Sequence, residues 1–174
     1  MQVAYCTNVV AGRTLDQTRA NVLATFGDVR DRVRPGGILP VGLWISAHAL
    51  HQLSQDPGGA RALRDGLAAR GLHVATLNAF PYHDFHGDVV KHRVYEPHWA
   101  DARRLLYTTA LADLLPDLLP PGTKDASIST APLGWRTRFS LEGCGASLGL
   151  ASAMLEQLSR HLAQLEDRTG IRVR

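Results

Sequence analysis

The residues best suited to chemistry fall in one stretch. Asn78-Ala79-Phe80-Pro81-Tyr82-His83-Asp84-Phe85-His86-Gly87-Asp88 is the densest polar run in the chain, and Lys91, Arg93 and Tyr95 follow it closely. Imidazole and carboxylate groups ligate zinc, manganese or iron, so His83, Asp84, His86 and Asp88 are candidate metal ligands. Their His-x-x-His spacing is not diagnostic, and a solvated polar loop whose histidines bond backbone groups is the simpler reading. Lys91, Arg93 and Arg136 are suited to an anionic or polyhydroxylated substrate, on which Tyr82, Tyr95 and Trp99 would stack. Asn78, Tyr82, Lys91, Arg93 and Tyr95 are therefore the candidate substrate contacts. Trp44 is read as core instead, because large aromatics are usually buried. Gly143-Cys144-Gly145-Ala146-Ser147 precedes a helical pattern and could cradle a phosphate, but its glycines match no phosphate fingerprint. Flexible-loop glycine and a helix-capping Ser147 are the preferred readings there. No histidine can be assigned to Cys144, and no general base can be named, so catalytic residues stay unassigned.

These residues need elements to hold them. Val3 to Cys6 is a short apolar run, after which Leu15, Val22, Phe26, Val29 and Val33 recur at helical spacing. Thr14 with Gln17 has the form of a capping box, and Pro35-Gly36-Gly37 ends the helix. Leu39 to Ile45 predicts a strand apolar on both faces. Ala47 to Leu53 and Ala60 to Arg70 predict two helical pieces, with Gly71 as a left-handed cap. His73 to Asn78 predicts the third strand, and Ala79 to His98 a long loop. Trp99 to Leu119 predicts a helix with leucines at 105, 111, 114, 115 and 118 facing a core and Pro116 as a break. Ala126 to Thr130 predicts the fourth strand and Pro132 to Gly145 a second long loop. Leu148, Ala151, Leu155, Leu158, Leu162 and Leu165 form the next helical stripe, closed by Gly170. Ile171 to Arg174 resembles a fifth strand cut short.

Four strand-then-helix units in strict alternation predict a parallel sheet with right-handed crossovers. The first strand lacks the glycine-rich turn that an open doubly wound sheet would place after it, which favours a barrel. A whole (β/α)₈ barrel takes roughly 250 residues. The 174 residues, with 45% hydrophobic and 20% charged, suffice for one cored domain. The expectation is thus the N-terminal half of a single TIM-barrel domain over residues 1–174, cut at the start of strand five. The charge of +3 is spread among interleaved arginines, carboxylates and histidines, which argues against nucleic acid. Cys6 and Cys144, without a CxxC, read as reduced structural thiols, and no membrane insertion or targeting segment is expected. The location expected is cytoplasmic.

Tyr5-Cys6-Thr7-Asn8-Val9, Asn78-Ala79-Phe80-Pro81-Tyr82 with Phe85-His86-Gly87, Val90-Lys91 with Val94-Tyr95 and Pro97, and Ser127-Ile128-Ser129-Thr130 with Pro132-Leu133 succeed one another along the chain. In this order and spacing they resemble the EboE-type metabolite traffic proteins, a branch of the xylose isomerase-like TIM barrels. The resemblance covers nearly all of the chain. It implies a bacterial cytoplasmic protein associated with moving metabolite precursors, within a superfamily of isomerases, epimerases and endonuclease-like enzymes that commonly bind divalent metal. It carries His86 over as a possible metal or substrate contact. His83 stands where the family more often has glycine, and Pro97-His98-Trp99 departs from a usual Pro-Asp-Trp, which makes His83 the weaker ligand.

The expectation for function is the first half of a metal-dependent sugar isomerase- or epimerase-like barrel acting on a small polar metabolite, with this half inactive alone. The alternative is a noncatalytic metabolite-binding or carrier protein of the same fold, and a nucleic-acid repair enzyme is disfavoured by charge. His86 is expected at the open, C-terminal end of the sheet and His73 at the other. A half barrel is expected to self-associate through its open strand edges and uncovered apolar interior.

Overall fold

The computed structural model describes residues 4–83, 86, 91–136 and 144–174, the side chains of 144–146 excepted. Five parallel strands form one sheet in the order of the chain: β1 Tyr5–Cys6, β2 Leu39–Leu43, β3 Leu72–Ala79, β4 Asp125–Thr130 and β5 Arg172–Val173. Between them lie α1 Leu15–Asn21, a π-helical turn Val22–Phe26, α2 Gly27–Val33, α3 Ala47–Ser54, α4 Gly59–Ala69, α5 Ala102–Leu118 and α6 Cys144–Thr169. Right-handed crossovers between strands added always on the same side carry every helical connection to one face of the sheet.

The two faces accordingly differ in chemistry. On β3, Leu72, Val74, Leu77 and Ala79 are buried toward α4 and α5, while His73, Thr76 and Asn78 stay partly open on the other face. A bulge between Val41 and Gly42 keeps this alternation in step across β2 and β3. The core runs from Phe26 through Val41, Leu43, Leu53, Leu67 and Leu77 to Leu111 and Leu115. A second small cluster packs Trp99 on Ala151 and Leu158 of α6.

Local signals account for the boundaries. Thr14 Oγ1 accepts from Gln17 N at 3.2 Å and Gln17 returns its carbonyl to Thr14 N, which is the expected capping box. Ser46 caps α3 by accepting from Ala49 N and donates to Arg13 O. Gly71 takes φ +67°, the left-handed conformation that ends α4 and lets β3 begin at once.

Several expectations are corrected. Pro116 does not break α5, which runs two residues beyond it; only the bond to the carbonyl four residues back is forfeited, close to where the helix ends anyway. Of the leucines expected to face a core, Leu111, Leu115 and Leu118 are buried, Leu114 packs against the main core and Leu105 against the smaller cluster, while Arg104, Tyr107 and Thr108 are buried beside them without having been expected there. Helix α6 starts at Cys144, so Cys144 to Ser147 belong to the helix and not to a glycine loop ahead of it, and Ser147 is not its cap. Val33 and Leu148 are exposed, each at an end of its stripe where no neighbour covers it. No described helix is long and apolar enough to cross a membrane.

Leu77 has no exposure and lies at the centre of β3. Leu77→Ala should cost about 2–5 kcal/mol through lost burial and the cavity left behind. Urea titration should show a lower midpoint with an unchanged slope.

Candidate functional site

The face of the sheet away from the helices is polar toward the C-terminal ends of the strands. Thr76 lies opposite Ser127, and Asn78 opposite Ser129. Ser127 Oγ donates to Thr76 Oγ1 at 2.8 Å, Thr76 Oγ1 donates to Ser127 O at 2.9 Å, and Ser129 Oγ donates to Asn78 Oδ1 at 3.1 Å. Phe80 N also donates to Asn78 Oδ1. Two donors on that oxygen fix the amide orientation, so the Asn78 NH₂ group is left to face outward with its two protons. Gly42 continues the row toward β1: a Cβ there would sit 3.2 Å from Cys6 Sγ and 3.3 Å from Thr76 Cγ2. Its missing side chain lets Cys6 and Thr76 close over the strand, so Gly42 is itself buried.

Trp44, next after β2, closes one side of this face. Its backbone N–H donates to Thr7 Oγ1 at 2.8 Å and its indole N–H to Pro81 O at 2.8 Å, while Gly12 packs so close that a Cβ would meet the ring at 3.1 Å. The expected burial of Trp44 is therefore observed, at 1% exposure. The exposed His86 ring lies 6.2 Å from the indole, beyond the C-terminal end of β2. His73 pairs with Pro40 near the opposite ends of their strands, so the two histidines are separated as expected. Burial lowers the His73 pKa.

Two long loops meet above the strands through aromatic rings. The second loop supplies Trp135, on which His92 stacks at 3.8 Å; Tyr95 lies 5.3 Å from the same indole and 5.5 Å from Phe80. Lys91 and Arg93 flank His92, Arg136 follows Trp135, and all three cations are exposed. Lys91 takes φ +38°, a left-handed backbone uncommon in a non-glycine residue.

Arg104 anchors these loops from below. It has no exposure, and its Nε donates to Pro97 O at 2.8 Å while Nη1 donates to Ala79 O and Phe80 O at 2.9 and 3.0 Å. Among the described residues Nη2 has no hydrogen-bond acceptor, and the guanidinium lies against the rings of Tyr82 and Tyr107 at 5.9 and 5.8 Å. Burial lowers its pKa, against the pull of the neighbouring tyrosines and of Asp101 and Glu96. Tyr107 donates to Ile45 O at 2.6 Å, and burial raises its phenol well above the ordinary value. Asp101 caps α5 by accepting from Arg103 N, and the Arg103 guanidinium beside it holds its carboxyl below the usual range.

The sequence candidates divide among these surroundings. Asn78 stands on the polar sheet face; Lys91, Arg93 and Tyr95 stand on the aromatic loops. Tyr82 is half-buried, edge-on to Tyr107 at 5.0 Å and to His83 at 4.7 Å. Trp99 is corrected: it is 1% exposed, donates from its indole to Ala131 O and packs on α6, so it cannot stack on a substrate. Asp84 and Asp88 lie outside the described residues, and among the described ones no three His, Cys, Asp or Glu side chains gather as a metal would need. Sequence reading missed Thr76, Ser127 and Ser129, although the alternation of Ala126 and Ile128 with serines signals them. It also missed Trp135 and Arg104, for which no local signal exists.

No family model matches the chain. Comparisons with curated proteins and with solved structures likewise found no match.

Electrostatics set the state of His83. Burial and then the charges of Arg103, Arg93 and Arg104 all push its pKa below the ordinary 6.5. NMR titration should place it there, with Arg93→Gln and Arg103→Gln each moving it back up. Because the unfolded chain binds this proton more tightly, stability should be full above pH 6.5 and decline as pH falls through that value. Arg104→Met should cost roughly 2–4 kcal/mol in urea titration, since it strands three carbonyls. Arg104→Lys should recover only part of that, a point ammonium being unable to serve all three.

Proposed function

We propose that this chain is the N-terminal half of a (β/α)₈ barrel of the xylose isomerase-like type, binding a small polyhydroxylated metabolite over the C-terminal ends of its strands. One observation carries the reading. Barrel interiors are normally filled with layers of Val, Ile and Leu, whereas here the corresponding face carries Thr76, Asn78, Ser127 and Ser129, already hydrogen-bonded to one another and still open. Such a row offers hydroxyl acceptors and the Asn78 NH₂ donors at strand spacing, which suits the alternating hydroxyls of a polyol. Sheet order without reversal, with one face open along β3 and β4, is what half of a closed barrel would have. The polar character of that face also removes the apolar drive expected for self-association, leaving the strand edges as its source.

Within a complete barrel the reading is an isomerase or epimerase moving a proton between adjacent carbons. The role of this half is to bind and orient the substrate's hydroxyls.

A second reading, a noncatalytic carrier, is favoured by a specific feature: every side chain of the hydrogen-bonded row is neutral and none is a usable base near pH 7. Ligand-observed NMR with an aldose and ketose panel in deuterated buffer tests both. Contact to at least one sugar, weakened about tenfold by Asn78→Leu, is expected. Absence of contact with every member overturns the binding reading, while exchange of a carbon-bound proton for deuterium by the complete barrel selects isomerase over carrier.

A further inference from the structure

We propose that the metabolite carries an anionic group, a phosphate or a carboxylate, held on the rim by Arg93, Lys91 and Arg136 beside the Trp135 stack. This rests on the polyol-binding reading and adds to it the charge of the substrate.

The first ground is the balance of charge around the two loops. Among the described residues, Lys91, Arg93 and Arg136 form no ion pair, while carboxylates elsewhere on the surface are regularly matched, as in Arg61 with Asp117 and Arg172 with Glu166. Of the two described carboxylates in this region, Asp101 is consumed by Arg103. Among the described residues the rim sets three exposed cations beside two carboxylates, Glu96 and the Asp101 that Arg103 holds, and the buried Arg104 guanidinium adds a fourth positive charge.

The second ground is geometric and independent of charge. The cations belong to two different loops, residues 91–95 and 135–136, yet the contact of His92 with Trp135 at 3.8 Å brings those loops together. Stacking fixes the rings and so limits the freedom of the cations next to them, which lowers the ordering cost of binding. The same loops rise from the C-terminal ends of β3 and β4, the strands that carry Asn78 and Ser129. A ligand with hydroxyls on the sheet face would therefore reach the rim with its far end. Guanidinium groups hold phosphate and carboxylate by paired N–H donors, and the tyrosine and tryptophan rings offer an apolar wall to the carbon chain between.

His83 fits this picture. It sits among arginines as a neutral imidazole near pH 7, so it adds a hydrogen-bond partner without a further charge.

Calorimetric titration of the full chain compares ribose 5-phosphate, glucose 6-phosphate and gluconate with ribose and glucose, and inorganic phosphate as a control. At least one anionic sugar is expected to bind tenfold or more tightly than its neutral parent, with affinity falling as sodium chloride rises. Arg93→Gln combined with Arg136→Gln should abolish that preference, bringing the anionic sugar to the affinity of its neutral parent. Equal affinity for charged and neutral sugars overturns the rim proposal and leaves the polyol reading standing. A preference that survives the double substitution also overturns it, as does equally tight binding of inorganic phosphate, which would mark a nonspecific anion patch. If Asn78→Leu removes binding of both classes, the rim depends on the sheet face as proposed. If no sugar binds at all, both readings fall together.

Discussion

A buried guanidinium governs how the loops stand on the sheet. Arg104 gives up its hydration and, among the described residues, pairs with no carboxylate; the carbonyls of Ala79, Phe80 and Pro97 accept its hydrogen bonds, and two tyrosine rings lie against it. Isolated charge burial is costly, and hydrogen bonds to a charged donor together with ring faces offset that cost only when the groups are held in place. The consequence is mutual. Helix α5 cannot shift without stranding the end of β3, and the end of β3 cannot shift without losing the donor that satisfies its carbonyls. Tyr107, one turn along α5, reinforces the link by bonding Ile45 O beyond β2. The polar face and the aromatic loops are built outward from this fixed joint.

Sheet topology decides the rest of the chemistry. Strands added in chain order put one face of β3 and β4 under the helices and leave the other partly open, so a period-two sequence becomes a division between core and polar face. On β4 this is visible in Ala126 and Ile128 against Ser127 and Ser129. A bare apolar face would invite aggregation. Here the side chains on that face bond one another across β3 and β4, which keeps them ordered while leaving capacity for a ligand.

Charge is layered above that neutral row. Among the described residues the hydrogen-bonded row on the sheet is uncharged, the loops above it carry the exposed cations Lys91, Arg93 and Arg136, and Arg104 is buried at the ends of β3 and α5. Burial and then the arginine neighbours lower the His83 pKa, and Arg103 is held by Asp101 at the start of α5. Neutral hydrogen bonding close to the strands and charge at the periphery suit a ligand with hydroxyls at one end and an anion at the other, since charge acts over longer distances than hydrogen bonds.

Much of the fold could be read from the residues alone, because the signals are local. Apolar runs of strand length, the capping pair Thr14 and Gln17, the turn at Pro35-Gly36-Gly37 and the left-handed Gly71 each act within a few residues, and they yield the strand and helix order correctly. Asn78 and the cations on the long loops could also be named as candidates from type and spacing. What the sequence could not decide depends on contacts between residues distant in the chain. Arg104 reads as a surface arginine until Ala79, Phe80 and Pro97 surround it. Trp99 reads as a stacking platform until Ala151 and Leu158, some fifty residues later, bury it. Trp135 acquires its place only when the second loop meets His92 of the first. Burial and partnership are properties of the assembled chain, and tertiary packing alone determines which polar residues become framework and which remain free to bind.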